Sequence, residues 1–188
     1  METLASTPAE RRTSAPLTAG ILAVVLAVAI LFAASTNWYT VFKTVHVTFA
    51  VLWVGGGVLL TILALMAERR NDPAELATIA RQAATVGEKY FSTSGVIVVA
   101  MGVAMMINGD LPWSTFWIDF GLAVFAVSFL TGIVVLGPQS RRLHAIIDEK
   151  GALAPEAQEG IKKILLIARV DVALLLIVIV DMVAKPFS

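Results

Sequence analysis

The sequence predicts an all-α fold, a polytopic bundle of transmembrane helices with five spans: a four-helix core and one N-terminal span. Three observations predict it. The chain has 188 residues, of which 58% are hydrophobic and only 15% charged, and its mean hydropathy is +0.85. Soluble domains are about half apolar and about a quarter charged. The apolar residues fall into runs near the ~20 residues that a membrane-spanning helix needs. Alternating apolar and polar strands, the mark of a membrane barrel, are absent from the sequence.

Residues 1–16, "METLASTPAERRTSAP", form a short polar tail expected to be mobile and cytoplasmic. Residues 17–188 make one transmembrane domain. The first span covers 17–35 with the core "AGILAVVLAVAILFAAS". Arg11 and Arg12 ahead of it and "FAAS" at its end give it a signal-peptide look, but the apolar run exceeds a usual h-region, which favours a retained anchor. The second span covers 41–67, the third 91–108, the fourth 113–136 and the fifth 164–184, which carries charges inside it. Asp72 and Pro73 are an N-cap and first-turn pair that starts a helix before the third span. Pro138 should bend the fourth helix near its exit, because proline removes a backbone donor and crowds the preceding turn. "RRLHAIIDEKG" extends that helix to Gly151, and Pro155 starts the next.

Basic residues set the expected orientation. Arg69, Arg70, Arg81 and Lys89 follow the second span, and Arg141, Arg142, Lys150, Lys162 and Lys163 follow the fourth. These connections should face the cytoplasm of a bacterial inner membrane, with the N-terminus inside and the C-terminus outside. Trp38, Tyr39, Trp113 and Trp117 then form an aromatic belt at the outer boundary.

Composition also excludes chemistry. No cysteine is present, so disulfides, thiolates and iron–sulfur ligation drop out. Zero net charge argues against a nucleic-acid partner. The expected surroundings are the lipid bilayer, with another membrane subunit or a second copy as candidate partners. No phosphate loop, HExxH or nucleophile elbow is found, so the reading leans away from an enzyme.

The candidate site residues come from "KTVHVTFAVLWVGGG" and from charges inside spans. Lys43, His46, Ala50, Trp53 and Gly57 share a helix face. Its glycines, with Gly95 and Gly102 in the third span and Gly121, Ser128 and Gly132 in the fourth, fit close helix packing with Trp53 filling the space beside them. The alternative to packing is a slot for a flat ligand, which makes His46, Lys43, Trp53, Gly56 and Gly57 a candidate cofactor set. His46 with Met106 and Met182 is a soft donor set suited to Cu(I). Ionisable residues in spans are functional candidates by default, so Asp119, Asp171, Asp181 and Arg169 form a candidate proton or ion relay. Arg169 and Asp171 need partners on another helix, and Asp181 has Lys185 one turn away. His144 is expected to be solvated.

The order Lys43, His46, Trp53, Gly55, Gly56 resembles the opening motif of HemJ-type protoporphyrinogen oxidases and of copper-resistance CopD-like membrane proteins. "TVFKTVHVTFAVLWVGGG", "FWIDFGL", "GPQSRRL" and "VDMVAKP" together resemble an uncharacterised bacterial integral membrane family, domain of unknown function 2269, over Phe42 to Pro186. The first resemblance implies haem b on His46 and a haem-assisted oxidase. The second implies copper handling near His46. The third carries no activity. A haem or metal protein is therefore the leading expectation, and an ion-coupled transporter or accessory subunit the alternative.

Overall fold

Residues 8–186 are described by a computed structural model. Helices α1 (Pro8–Ala34), α2 (Trp38–Arg69), α3 (Pro73–Val86), α4 (Ser92–Asn108), α5 (Phe116–Leu130), α6 (Gly137–Lys150) and α7 (Pro155–Ala184) make up nearly all of it, with no strand among the described residues. Residues 1–7 of the expected tail lie outside the described residues, as do the side chains of Arg11 and Arg12. Residues 8–16 belong to α1.

Two π-helical turns join these elements into longer rods. Gly87–Phe91 links α3 to α4, and Thr131–Leu136 links α5 to α6. Continuous helices result over Pro73–Asn108 and Phe116–Lys150. Proline explains the second turn. Pro138 has no N–H, so the ladder shifts by one residue, Gly137 N–H bonds the Gly132 carbonyl, and an α-helix restarts with proline in its first turn. Pro138 thus leaves a widened turn within a continuous helix. In the first turn Ser92 donates both its N–H and its hydroxyl to the Gly87 carbonyl, the latter at 3.1 Å.

Among the described residues four helices are long and apolar enough to cross a membrane: Pro16–Ala34, Trp38–Arg69, Pro73–Asn108 and Phe116–Lys150. The 30-residue α7 matches them in length but holds Arg169, Asp171 and Asp181. At ~1.5 Å per residue, the 32 residues of α2 reach about 48 Å, well beyond a ~30 Å hydrocarbon core. The surplus forms a hairpin layer beside the membrane part. There Ala64, Ala67, Leu76, Ile79, Leu143 and Ile161 bury one another between α2, α3, α6 and α7. Asp72 accepts from the N–H groups of Ala74 and Glu75 and starts α3 as its sequence predicts. Gly151 ends α6 at φ +87°, a conformation in which a side chain would be strained. Arg81 reaches Asp148 at 2.6 Å and ties α3 to α6.

Within the membrane part α2 packs along α4 and α7, α5 packs along α7, and α1 lies on α2 with little of its surface covered. Small residues permit these approaches. A Cβ on Gly57 would stand 2.8 Å from Val172 Cγ2, and one on Gly95 3.1 Å from Phe129 and 3.4 Å from Trp53. The Trp53 ring fills the space beside Gly95, as expected, and lies 8% exposed with Val54, Val98 and Leu175. Its ring meets Phe125 edge-on, 5.7 Å between centroids at 85°.

Candidate functional site

The Trp53 layer divides the polar groups of the bundle into two sets. Toward the loop end, where α2 and α5 begin and α4 and α7 finish, lie His46, Asp119 and Asp181. Toward the hairpin end lie Arg169, Asp171 and a cavity.

At the loop end His46 is half-buried and its Nδ1–H donates to the Val98 carbonyl at 2.8 Å. Its ring lies on Gly102, where a Cβ would be 3.3 Å away. Lys43, one turn nearer the end, is exposed, as is Asp119 in the first turn of α5. Asp181 is only 6% exposed and its Oδ2 has no partner. Gly121 on α5 makes room for it and for Met182. The anticipated pairing of Asp181 with Lys185 is not seen. Lys185 adopts a left-handed φ of 45° to end α7 before Pro186, and its ammonium sits 5.0 Å over the Trp117 ring. His46 thus contacts α4, Met182 contacts α5 and Met106 is half-buried on α4. No cluster of three His, Asp or Glu metal donors forms among the described residues. Of the glycines in "VGGG", Gly55 faces open space, Gly56 faces the Phe91 ring and Gly57 faces Val172.

The hairpin end holds a cavity of about 530 Å³ between α2, α5, α7 and the two π turns. Trp53, Phe129 and Leu175 border its floor, with Gly57, Ser128 and Asp171 beside them; Lys89, Arg141 and His144 stand toward its mouth. Both π turns contribute wall, Gly87 to Lys89 and Phe91 from one, Gly132, Ile133 and Leu136 from the other. Widened turns of this kind are frequent at functional sites.

The polar atoms of this cavity are incompletely satisfied. Ser128 is 2% exposed, and its hydroxyl interacts with the neighbouring Asp171 carboxylate but completes no hydrogen bond of close geometry. Arg169 Nε and His144 Nε2 are also buried and unpartnered. Three of the five such atoms among the described residues therefore line one cavity. Buried polar groups are normally bonded, and exceptions call for an explanation such as an unseen water, ion or ligand. His144 is thereby corrected from a solvated residue to a wall residue. Its helix continues α5 past the π turn, which carries the side chain back over the cavity.

Arg169 finds its partner across the helix interface. Its Nη2 donates to Glu68 Oε1 at 2.7 Å, with side chains 27% and 33% exposed. Exposed pairs contribute up to about 1 kcal/mol, and breaking a fully buried one costs about 3–5 kcal/mol. This pair lies between those limits. Glu68→Ala is expected to lower stability by about 1–2 kcal/mol, read as an earlier unfolding midpoint in detergent. The double variant with Arg169→Met should recover part of the loss; an unimproved double variant would mean that the unpaired guanidinium is not its cause.

A sequence model of a family described as "Predicted integral membrane protein (DUF2269)" matches residues 40–186. No curated protein matches the chain. No solved structure matches it either.

Proposed function

The chain belongs to this family of predicted integral membrane proteins, and from that premise we propose that it takes up a small polar solute or ion in the cavity and passes it, or a proton coupled to it, across the membrane. One observation carries the reading. Ser128 Oγ, Arg169 Nε and His144 Nε2 are buried without a completed hydrogen bond around a single cavity that also holds Asp171, beside Ser128. Ionisable residues within spans mark solute and proton pathways when they border a cavity.

The arrangement supplies the parts of a two-sided path. Counting ten residues along α7 at ~1.5 Å each, Asp181 stands about 15 Å from Asp171, on the far side of the Trp53 layer. Asp171 is then the acceptor reached from the cavity and Asp181 the acceptor toward the other face. Arg169, held by Glu68, fixes α7 against α2 and supplies a donor at the wall. Asp119 and Lys43 lie exposed at the loop end, where they serve exit or entry. The basic residues of the hairpin layer support a cytoplasmic cavity mouth in a bacterial inner membrane, with the C-terminus outside.

A second reading keeps haem b or copper at His46, with Lys43, Trp53, Gly56, Gly57, Met106 and Met182 around it. Its support is the hydrogen bond to Val98. Holding Nδ1 protonated leaves the lone pair on Nε2, the orientation a metal-binding histidine uses. Against the flat-ligand slot, Phe91 and Val172 occupy the space beside Gly56 and Gly57. A third reading, an accessory subunit or homo-oligomer, assigns the seams to assembly alone.

One preparation separates the three. Detergent-purified protein is scanned oxidised and dithionite-reduced beside His46→Ala, then reconstituted in vesicles for proton and ion flux beside Asp171→Asn. Flux that falls at least ten-fold in Asp171→Asn, with a featureless visible spectrum, is the expected result. A Soret band that shifts on reduction and vanishes in His46→Ala would overturn it in favour of haem. Flux absent from the wild type as well would leave assembly.

A further inference from the structure

We infer that the ligand of this cavity is an organic cation, an amine whose ammonium sits on Asp171 and Ser128 against the aromatic floor while its apolar body follows the wall toward the mouth. The inference rests on the cavity being the functional site and adds the chemical class of what enters it.

Charge bookkeeping along the cavity points this way. Lys89, Arg141 and Glu88 are exposed at the rim, where water and salt screen them. Arg169 is compensated by Glu68 at 2.7 Å. Within the cavity Asp171 is the deep charge with no ion-pair partner among the described residues, although Arg169 stands only two residues away on the same helix. A carboxylate there is costly without a counter-charge. A positive ligand relieves that cost, whereas a negative one adds to it.

The neighbours of Asp171 specify more than a charge. Ser128 is buried beside Asp171, and its hydroxyl oxygen keeps lone pairs free even when its O–H faces the carboxylate, so it accepts one N–H of an ammonium while Asp171 accepts another. Trp53 and Phe129 border the same floor, and aromatic rings attract cations in desolvated surroundings. A bare metal ion is poorly served here, since Asp171 and Ser128 supply few oxygens and no group of three His, Asp or Glu donors occurs among the described residues. Leu60, Ile133 and Leu136 line the remaining wall and suit an apolar body. A cavity of about 530 Å³ lies within the range of small-molecule sites.

The test is a calorimetric titration of the full-length protein in a nonionic detergent at neutral pH. Three probes of matched shape are used: benzylammonium, benzoate and benzyl alcohol, with the neutral alcohol measuring partition into the micelle. Saturable benzylammonium binding is expected, at least ten-fold tighter than either of the others. Asp171→Asn should weaken it at least ten-fold, and Ser128→Ala several-fold. Benzoate binding as tightly as the amine would overturn the inference, and this comparison on the wild type stands even where Asp171→Asn does not fold. So would amine binding that survives in folded Asp171→Asn, displacement of the amine by equal sodium, or no saturable amine binding. Benzoate binding or proton flux without amine binding leaves the cavity as the functional site and removes only the amine. Loss of both binding and flux removes the site itself.

Discussion

Gly57→Leu is expected to destabilise the bundle by about 3 kcal/mol, enough to deplete folded protein in detergent. Even a single carbon at Gly57 would stand 2.8 Å from Val172 Cγ2. Val172 is β-branched and stiff at χ1 in a helix, so it cannot swing aside freely. Leucine adds three more carbons where α2 packs against Val172 of α7. The neighbouring glycine provides the control. Gly55 faces open space, so Gly55→Leu meets no clash and gains helix propensity of up to about 1 kcal/mol. Opposite shifts of the unfolding midpoint in the two variants are the predicted signature. Val172→Ala should also restore part of the stability lost in Gly57→Leu. Equal effects at Gly55 and Gly57 would show that Val172 does not crowd Gly57 as closely as this.

Trp53→Ala is the second large effect, with an expected loss of roughly 3 kcal/mol. The indole is 8% exposed, packs against Val54, Val98 and Leu175, and meets Phe125 edge-on. Lipid tails are as apolar as the core, so the loss comes from packing and the void left behind. The variant also joins the cavity to the loop end, because Trp53 borders the floor. A passive proton leak in vesicles should therefore exceed that of the wild type, and Trp53→Phe should restore most of the seal. A leak unchanged in folded Trp53→Ala would mean that the barrier lies elsewhere.

Much of the architecture was legible because lipid imposes a simple rule. Every backbone polar group must bond within its own helix, so an apolar run of sufficient length becomes a helix. The start of α3 was equally legible: Asp72 and Pro73 act through contacts two or three residues away, within reach of local reading. The site was less legible. Arg169 announced that it needed a partner on another helix, but no periodicity names Glu68, 101 residues away. Ser128 read as one small residue in a packing seam, and only its buried hydroxyl beside Asp171 separates it from the glycines around it. His144 sat in a basic, polar stretch that looks solvated. The π turn at Pro138 and the packing of α6 over the cavity turn it inward, and one available signal was Pro138 six residues before it.

The sequence by itself determined that the chain is helical and membrane-spanning, and which residues carry charge into the spans. Hydropathy, capping and proline act over a few residues and leave their record in order along the chain. Tertiary structure alone decided which of those charges are paired and which of those glycines are filled. Phe91 closes on Gly56, Val172 on Gly57 and Glu68 on Arg169, while Asp171 is left facing a cavity. Such outcomes depend on the rotation of each helix about its axis and on its neighbours. In a bilayer these are set by the summed packing of small and large side chains across the whole bundle rather than by any local stretch.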